Sequence, residues 1–232
     1  MMSAAGRMQF LLFDKTGTLT DINVKLVHAF LGLNQNPTDK EDGKLTELDS
    51  LSSKMQESDE VYNLMFNFSS NHTLAFVDND IMGDPIEEEL FDYAEADIDE
   101  GEFKPHPEKK DELADSEINS VIVPYKGSTL KLTMVKVFGF VPELQRMGVV
   151  VRTEETGQMY FFVKGSPEKV MKLCRKQTVS ASAHELVDRQ AKRGIRIIAF
   201  AYKKLDSGKY SDAKRTDLES ELIFQEIGRA SC

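Results

Sequence analysis

The sequence predicts an α+β fold in which a mostly antiparallel sheet is flanked by helices. Between residues 120 and 202 lie five short segments rich in Val, Ile, Phe and Tyr, a composition typical of strands: SVIVPY, TLKLTMVKVFGF, RMGVVVR, QMYFFVK and IRIIAFAY. A TGQ turn signal separates the third segment from the fourth, which predicts a hairpin. Helical segments lie before and among these strands, so the pattern favours a mixed fold over a pure sheet protein.

Four helices are predicted from spacing and end signals. VYNLMFNFSS, residues 61–70, has apolar residues at helical spacing. In DPIEEELFDYA, Asp84 before Pro85 is typical of an N-cap followed by a proline in the first helical turn. PEKVMKLC and SAHELVDRQAKRG complete the set, and Gly194 is the residue expected just beyond the end of the last helix.

Composition narrows the function classes. The chain has 232 residues, 41% of them hydrophobic, and a formal net charge of −10. An acidic chain is a poor candidate for nucleic-acid binding, which depends on neutralising phosphates with Lys and Arg. The two cysteines, Cys174 and Cys232, do not make a disulfide framework and favour a reducing compartment. We find neither a signal peptide nor an apolar stretch of about 20 residues, so the chain alone is expected to be soluble.

Much of the negative charge lies in one region. Residues 80–117 contain sixteen Asp or Glu and three Lys. The part from 93 to 117 lacks apolar periodicity and holds two prolines, so we interpret it as a mobile surface insertion. An acidic docking or cation-binding segment is the alternative. VDND, residues 77–80, is interpreted as a hairpin loop rather than a metal site.

The segment DKTGTLT, which follows the apolar run MQFLLF, has the features of a phosphate site. An aspartate at the carboxyl end of a strand can act as a nucleophile toward phosphorus and form an aspartyl-phosphate. Such a transfer also needs Mg²⁺ and polar groups near the transferring oxygens. Asp14 offers the carboxylate, Lys15 a cation and Thr16 a hydroxyl. For the shorter string DKTG alone, a surface turn after an edge strand is an equal alternative.

DKTGTLT resembles the phosphorylation signature of the P-type ATPases, the ion and lipid pumps, and is identical to it over seven residues. The resemblance implies an enzyme that couples ATP hydrolysis to transport. It implies that ATP phosphorylates Asp14 in the full-length pump and that Lys15 stabilises the phosphate. It further implies that Asp14 and Thr16 contribute to binding Mg²⁺.

The rest of the chain resembles the cytosolic nucleotide-binding domain of these pumps. VKGSPEKV is similar to their K-G-[AS]-P-E loop, which implies that Lys164 and Gly165 lie at the nucleotide. GDPIEEELF implies that Glu87 lies near the adenine amino group, and FGFVPELQRM implies that Phe140 stacks on adenine. RGIRIIAFAY implies that Arg196 reaches the phosphates. Taken alone, these residues have ordinary alternatives: a strand-to-helix turn, a helix-start acid, a core aromatic and a surface arginine.

Smaller details resemble the type V pumps. LQRM, KGSPEKVMKLC, QTVSASAHEL and GIRIIAFAYKKL favour the branch associated with polyamine and cation transport in lysosomes and other endomembranes. This implies a location on the cytosolic face of such a membrane. The partners implied are the other phosphorylation, actuator and transmembrane domains of the same pump.

The sequence also departs from the pattern. The EDGL usual after DKTGTLT is missing, and Pro142 and Gly148 replace commoner residues. T-G-D and D-G-x-N-D motifs, whose aspartates bind Mg²⁺ in the family, are not found, so the isolated chain is expected not to autophosphorylate. A stand-alone nucleotide-binding or interaction protein without turnover is therefore the alternative to a portion of a pump. A small dehalogenase-type phosphatase is disfavoured, because Thr16 stands where its second aspartate would be.

These features predict a division of the chain. Residues 1–22 would carry the first strand and phosphorylation loop of a Rossmann-like phosphorylation domain. Residues 23–44 would be a linker, and 45–225 the nucleotide-binding domain with its acidic insertion at 93–117. Residues 226–232 would form a tail returning to the phosphorylation domain.

Overall fold

A nine-stranded antiparallel sheet forms the body of the protein. The computed structural model describes residues 25–31, 46–47, 59–77, 80–99 and 119–231; for the strands at 25–31, 46–47 and 226–231, and for Arg196, it describes the backbone alone. The strands of the sheet are β1 (Lys25–Leu31), β2 (Thr46–Glu47), β5 (Asp97–Ile98), β6 (Ser120–Tyr125), β7 (Ser128–Val141), β8 (Arg146–Thr153), β9 (Met159–Gly165), β10 (Arg196–Leu205) and β11 (Ile223–Ser231). Their order across the sheet is β2-β1-β11-β10-β9-β8-β7-β6-β5.

A separate hairpin pairs β3 (Ala75–Val77) with β4 (Asp80–Met82), with Val77 opposite Asp80. The hairpin predicted at VDND is therefore confirmed. The hairpin predicted between β8 and β9 is confirmed as well, because these strands pair antiparallel on either side of the TGQ turn.

The helices are α1 (Asp59–Ser70), α2 (Pro85–Tyr93), α3 (Pro167–Val170), α4 (Ala181–Lys192) and α5 (Arg215–Leu218), with 3₁₀ turns at Met171–Leu173 and Lys176–Thr178. The Asp84 side chain accepts a hydrogen bond from the Ile86 N–H, which confirms it as the N-cap of α2. Gly194 follows the C-cap of α4 with a φ of +73°, as predicted for that position. The helix predicted over PEKVMKLC is α-helical only to Val170 and tightens into a 3₁₀ turn.

Both faces of the central strands are buried. Successive residues of a strand point to opposite faces, so Phe161 and Val163 pack with α4 while Tyr160 and Phe162 pack with α1. This explains why β9 is a continuous apolar run instead of an alternating one. The predicted α+β class with a mostly antiparallel sheet is confirmed.

A buried asparagine fixes α1 to the sheet. The Asn67 Nδ2 atom lies 2.9 Å from Gln225 Oε1 and 3.3 Å from the carbonyl oxygens of Val163 and Ala201. These bonds tie the helix to β9, β10 and β11 at once. Because α1 leads directly into Thr73, they also set the position of one wall of the cleft described below.

The structure differs from the predicted division at two segments. Strand β1 lies inside the range 23–44 that was predicted as a linker, and β11 runs through most of the predicted return tail, 226–232. The two strands pair with each other, Leu31 opposite Glu226, and so extend the sheet beyond β10. Residues 25–31 thus form a strand within the predicted linker, and the predicted division of the chain into domains stays a prediction. Residues 1–22, with MQFLLF and DKTGTLT, and residues 100–118, which include most of the acidic insertion, lie outside the described part of the chain.

Candidate functional site

A cleft of about 500 Å³ opens where the start of α2 meets the ends of β7 and β9. Its lining combines acidic, basic, hydroxyl and apolar side chains: Thr73, Asp84, Ile86, Glu87, Phe140, Gln145, Met147, Lys164, Gly165, Ser166, Ile197 and Ile198. Four of the five residues predicted to contact nucleotide are in this set, although they lie up to 78 residues apart in the sequence. Sites with apolar walls and a few convergent polar groups are typical of small-molecule binding.

A buried ion pair forms the floor of the cleft. Lys164 Nζ lies 2.9 Å from Glu87 Oε1, and each residue is 7% exposed. The other carboxylate oxygen of Glu87 accepts hydrogen bonds from the Thr73 N–H at 2.7 Å and from the Thr73 hydroxyl at 3.0 Å. Glu87 is thus held at both oxygens, and its direction in the cleft is set by two neighbouring elements.

The charges of this pair depend on each other. Burial raises the pKa of Glu87, but the Lys164 charge and the hydrogen bonds from Thr73 outweigh it and hold that pKa below its ordinary value. Burial lowers the pKa of Lys164, and the Glu87 carboxylate opposes this by favouring the charged amine. Lys164 Nζ has no well-aligned hydrogen-bond acceptor among the described residues. The Nζ atom is itself buried, so Lys164 acts on the cleft through its charge and through its pairing with Glu87.

His72 is a buried neighbour of Thr73, close enough to the pair to interact with both of its charges. Burial, and secondarily the nearby Lys164 charge, lowers the pKa of His72 to about 4. Its Nδ1 atom accepts from the Leu74 N–H at 3.2 Å, and its ring meets that of Phe91 edge to face. The neutral ring adds no second cation beside Lys164, so the cleft floor keeps its balance of one positive and one negative charge.

Phe140 lines the same cleft and is unusually exposed for a large aromatic residue. It lies near the end of β7 and is 59% exposed. An exposed aromatic ring at a cleft provides a face on which a planar ring can stack. The predicted stacking role of Phe140 remains a prediction, but the structure leaves its ring free for one.

Gly165 has a structural reason to be glycine that the sequence did not indicate. A Cβ atom here would lie 2.6 Å from Arg146 Cβ and 2.7 Å from Arg146 Cα, and would also overlap the Gln145 carbonyl oxygen. The tight approach is made by the facing strand β8, which pairs Arg146 with Gly165. Lys164 directly precedes Gly165 in β9, so this close approach to β8 also constrains the position of the Lys164 backbone at the cleft.

The remaining predicted site residues are less completely placed. Arg196 is the first residue of β10, next to the cleft-lining Ile197 and Ile198, and its side chain lies outside the described atoms. Asp14, Lys15 and Thr16 lie outside the described residues altogether. Within the described part, no group of three or more His, Cys, Asp or Glu side chains is arranged to hold a metal ion.

Sequence reasoning missed two residues of this site. Thr73 and His72 follow α1, fourteen and fifteen residues before Glu87, and nothing in the local sequence links them to it. The only signal was indirect, since a polar NHT triplet follows a helix whose apolar face is buried. The hydrogen bonds from Thr73 to Glu87, and the position of His72 near the pair, depend on how α1 and α2 pack together.

Comparison with known proteins shows the family to which the chain belongs. Residues 68–227 match the family model described as P-type ATPase, cytoplasmic domain N, and the chain belongs to that family. The predicted relationship to the type V pumps is confirmed, since the relatives are cation-transporting ATPases of that kind. Among the described helices, none has the length and apolar character needed to cross a bilayer.

Three relatives show the extent of the similarity. The chain is 28% identical to Cation-transporting ATPase 5 of Schizosaccharomyces pombe, covering 95% of this chain and 19% of the relative. It is 30% identical to Cation-transporting ATPase catp-5 of Caenorhabditis elegans, covering 96% and 19%. It is 26% identical to Vacuolar cation-transporting ATPase YPK9 of Saccharomyces cerevisiae, covering 96% and 17%. The chain thus spans less than a fifth of the length of these relatives.

Proposed function

We propose that this chain is the ATP-binding portion of a P-type cation-transporting ATPase, with the nucleotide base held in the cleft between Phe140 and the Glu87–Lys164 pair. The observation that carries the proposal is the exposed ring of Phe140 in the same cleft as the oriented carboxylate of Glu87. These two features fit a flat base that carries an amino group, such as adenine.

The residues of the cleft fit such a ligand. Stacking on Phe140 would hold the base without regard to its hydrogen-bonding edge, and Ile197 and Ile198 supply further apolar wall. Glu87, kept ionised by Lys164 and Thr73, can accept a hydrogen bond from an amino group such as that of adenine. Lys164 supplies positive charge on the same side, and Arg196 would add to it at the phosphates.

In the full-length pump, we propose that ATP held here phosphorylates Asp14, with Lys15 and Thr16 beside the phosphate. When bound, Mg²⁺ would neutralise charge on the transferring phosphate. Asp14 and Thr16 would provide only part of its coordination, because Mg²⁺ prefers six oxygen ligands. The phosphorylation, actuator and transmembrane domains of the pump would then use the phosphorylated state for transport.

For the transported species and location, we propose a cation or polyamine at an endomembrane. The support is the similarity of LQRM, KGSPEKVMKLC and the other quoted segments to the type V pumps, the names of the cation-transporting relatives and the vacuolar relative in yeast. Uptake of labelled polyamines and of divalent cations into vesicles carrying the full-length pump would distinguish these cargoes, and absence of transport of both would refute this part.

Titration with ATP tests the cleft directly. Phe140→Ala should weaken ATP binding by about 1–3 kcal/mol, the range for a base stacked on an aromatic side chain. This corresponds to roughly 5- to 150-fold in the dissociation constant. Val137→Ala is the matched control, because Val137 is an exposed apolar residue of the same strand that does not line the cleft. Equal ATP affinities for the Phe140 variant and the unsubstituted chain, measured by NMR titration, would refute the assignment of the site.

A further inference from the structure

The strand that carries Phe140 is irregular just before and at that residue. Phe138 pairs with Gly148 and Val141 pairs with Arg146, so Gly139 and Phe140 together face a single residue of β8. This two-against-one arrangement is a β-bulge, which bends its strand and redirects the side chains in it. This local break in the regular β7–β8 pairing therefore sets the direction of the Phe140 side chain.

An arginine from a distant part of the chain binds the backbone at this bulge. The Arg215 Nη2 atom donates to the Phe138 carbonyl oxygen at 3.0 Å and also to that of Gly139. Its guanidinium carbon lies 5.5 Å from the centre of the Phe138 ring, within the distance of a cation–π contact. Arg215 thus binds two backbone carbonyl groups and contacts the Phe138 ring, all just before Phe140.

A buried glutamate links this arginine to the facing strand. Glu219 Oε1 lies 3.0 Å from Arg215 Nη1, and Glu219 Oε2 lies 2.6 Å from Arg146 Nη2. The Glu219 side chain is 6% exposed, and those of Arg215 and Arg146 are 17% and 13% exposed. Arg146 is the residue opposite Val141, so the Arg215–Glu219–Arg146 bridge spans both strands where the bulge ends.

We propose that Arg215 is a positioning residue for the bound base: with Glu219 and Arg146 it holds the bulge that presents the Phe140 ring to the cleft. The inference rests on the proposed nucleotide-binding function of that cleft. Lysine cannot replace arginine here, because one ammonium lacks the planar fork that bonds two carbonyl groups and a carboxylate together. The bridge involves no ligand, so it is in place before a nucleotide arrives.

A double-mutant cycle with ATP separates this role from a general structural one. Arg215→Lys should weaken ATP binding by about threefold to tenfold in the otherwise unchanged chain, a coupling within the range for residues joined through a shared backbone shift. In the Phe140→Ala background the same substitution should cause no further loss, since the ring that it positions is gone. Arg152→Lys is the matched control, because Arg152 is a β8 arginine that bonds Glu154 and lies outside the cleft lining. An equal loss in both backgrounds, or none in either, would overturn the proposal.

A second measurement needs no nucleotide. In the free chain, Arg215→Lys should speed hydrogen exchange of the Gly139 and Phe140 amides, and Glu219→Gln should do so to a smaller degree, while Arg152→Lys leaves them unchanged. Unaltered amide exchange in both bridge variants would overturn the inference, whatever the ATP affinity of those variants. If Phe140→Ala leaves ATP affinity intact while exchange at the bulge responds, the proposed base-binding site fails and the bridge that holds the bulge stands.

Discussion

Replacing Lys164 with Met would leave the Glu87 carboxylate buried without its cation. The two charged groups lie 2.9 Å apart and both residues are 7% exposed. Removing one partner of a buried ion pair costs about 3–5 kcal/mol, because the other charge remains uncompensated. The Thr73 N–H and hydroxyl still donate to Glu87 Oε2 in this variant. We therefore expect a loss at the low end of that range, about 3 kcal/mol of unfolding free energy at pH 7.

The loss should shrink in acid. In the unsubstituted chain the Glu87 pKa is held below its ordinary value of 4.5, so this group stabilises the fold above that pH and less as pH falls through the lower folded value. Without Lys164, burial acts with less opposition and the Glu87 pKa should rise. The variant then takes up a proton at a higher pH and relieves its buried charge. The difference in stability between the two proteins should consequently narrow from pH 7 to pH 4.

Urea unfolding followed by circular dichroism at both pH values measures these differences. Lys126→Met is the control, since Lys126 pairs with Asp59 at 2.7 Å on the surface and its removal should change stability little. Adding Glu87→Gln to Lys164→Met should recover part of the lost stability by removing the stranded charge. Equal losses for the Lys164 and Lys126 variants, or a Lys164 loss that is the same at both pH values, would refute this account of the pair.

Two further predictions concern Gly165 and Asp14. Gly165→Ala should lower unfolding free energy by about 1–3 kcal/mol through overlap with the facing backbone, and the melting temperature by about 2–4 °C per kcal/mol. Gly139→Ala, where a Cβ meets nothing within 4 Å, should leave the melting temperature nearly unchanged. Equal melting temperatures for the Gly165 and Gly139 variants would contradict the steric argument. In the full-length pump, Asp14→Asn should abolish the acid-stable, hydroxylamine-sensitive label from γ-labelled ATP, and a persisting label would exclude Asp14 as the acceptor.

The central strands were predictable because their signal is local. SVIVPY, RMGVVVR and QMYFFVK are short β-branched and aromatic runs bounded by turn residues, and each is a strand of the sheet. The ends of the sheet were not predictable in this way. Strand β1 is formed by pairing with β11, almost 200 residues away, so its order depends on a partner that no local window contains.

The candidate site shows the same division. Glu87, Phe140, Lys164 and Gly165 were predicted because each lies in a recognisable short motif, and the structure brings all four to one cleft. Thr73 could not be found, because its two hydrogen bonds to Glu87 arise only when the residue after α1 meets the first turn of α2. No short sequence motif predicts that contact.

By itself the sequence determined the class of fold, the family and the residue types at the cleft, because motifs and alternation are properties of neighbouring residues. The tertiary structure decided which charges meet and where the ring of Phe140 points. The ion pair joins residues 77 positions apart, and the bulge at Phe140 is held by Arg215, 75 positions further on. Such contacts are set by packing between distant elements, and burial then gives them their strength by removing water from the charges.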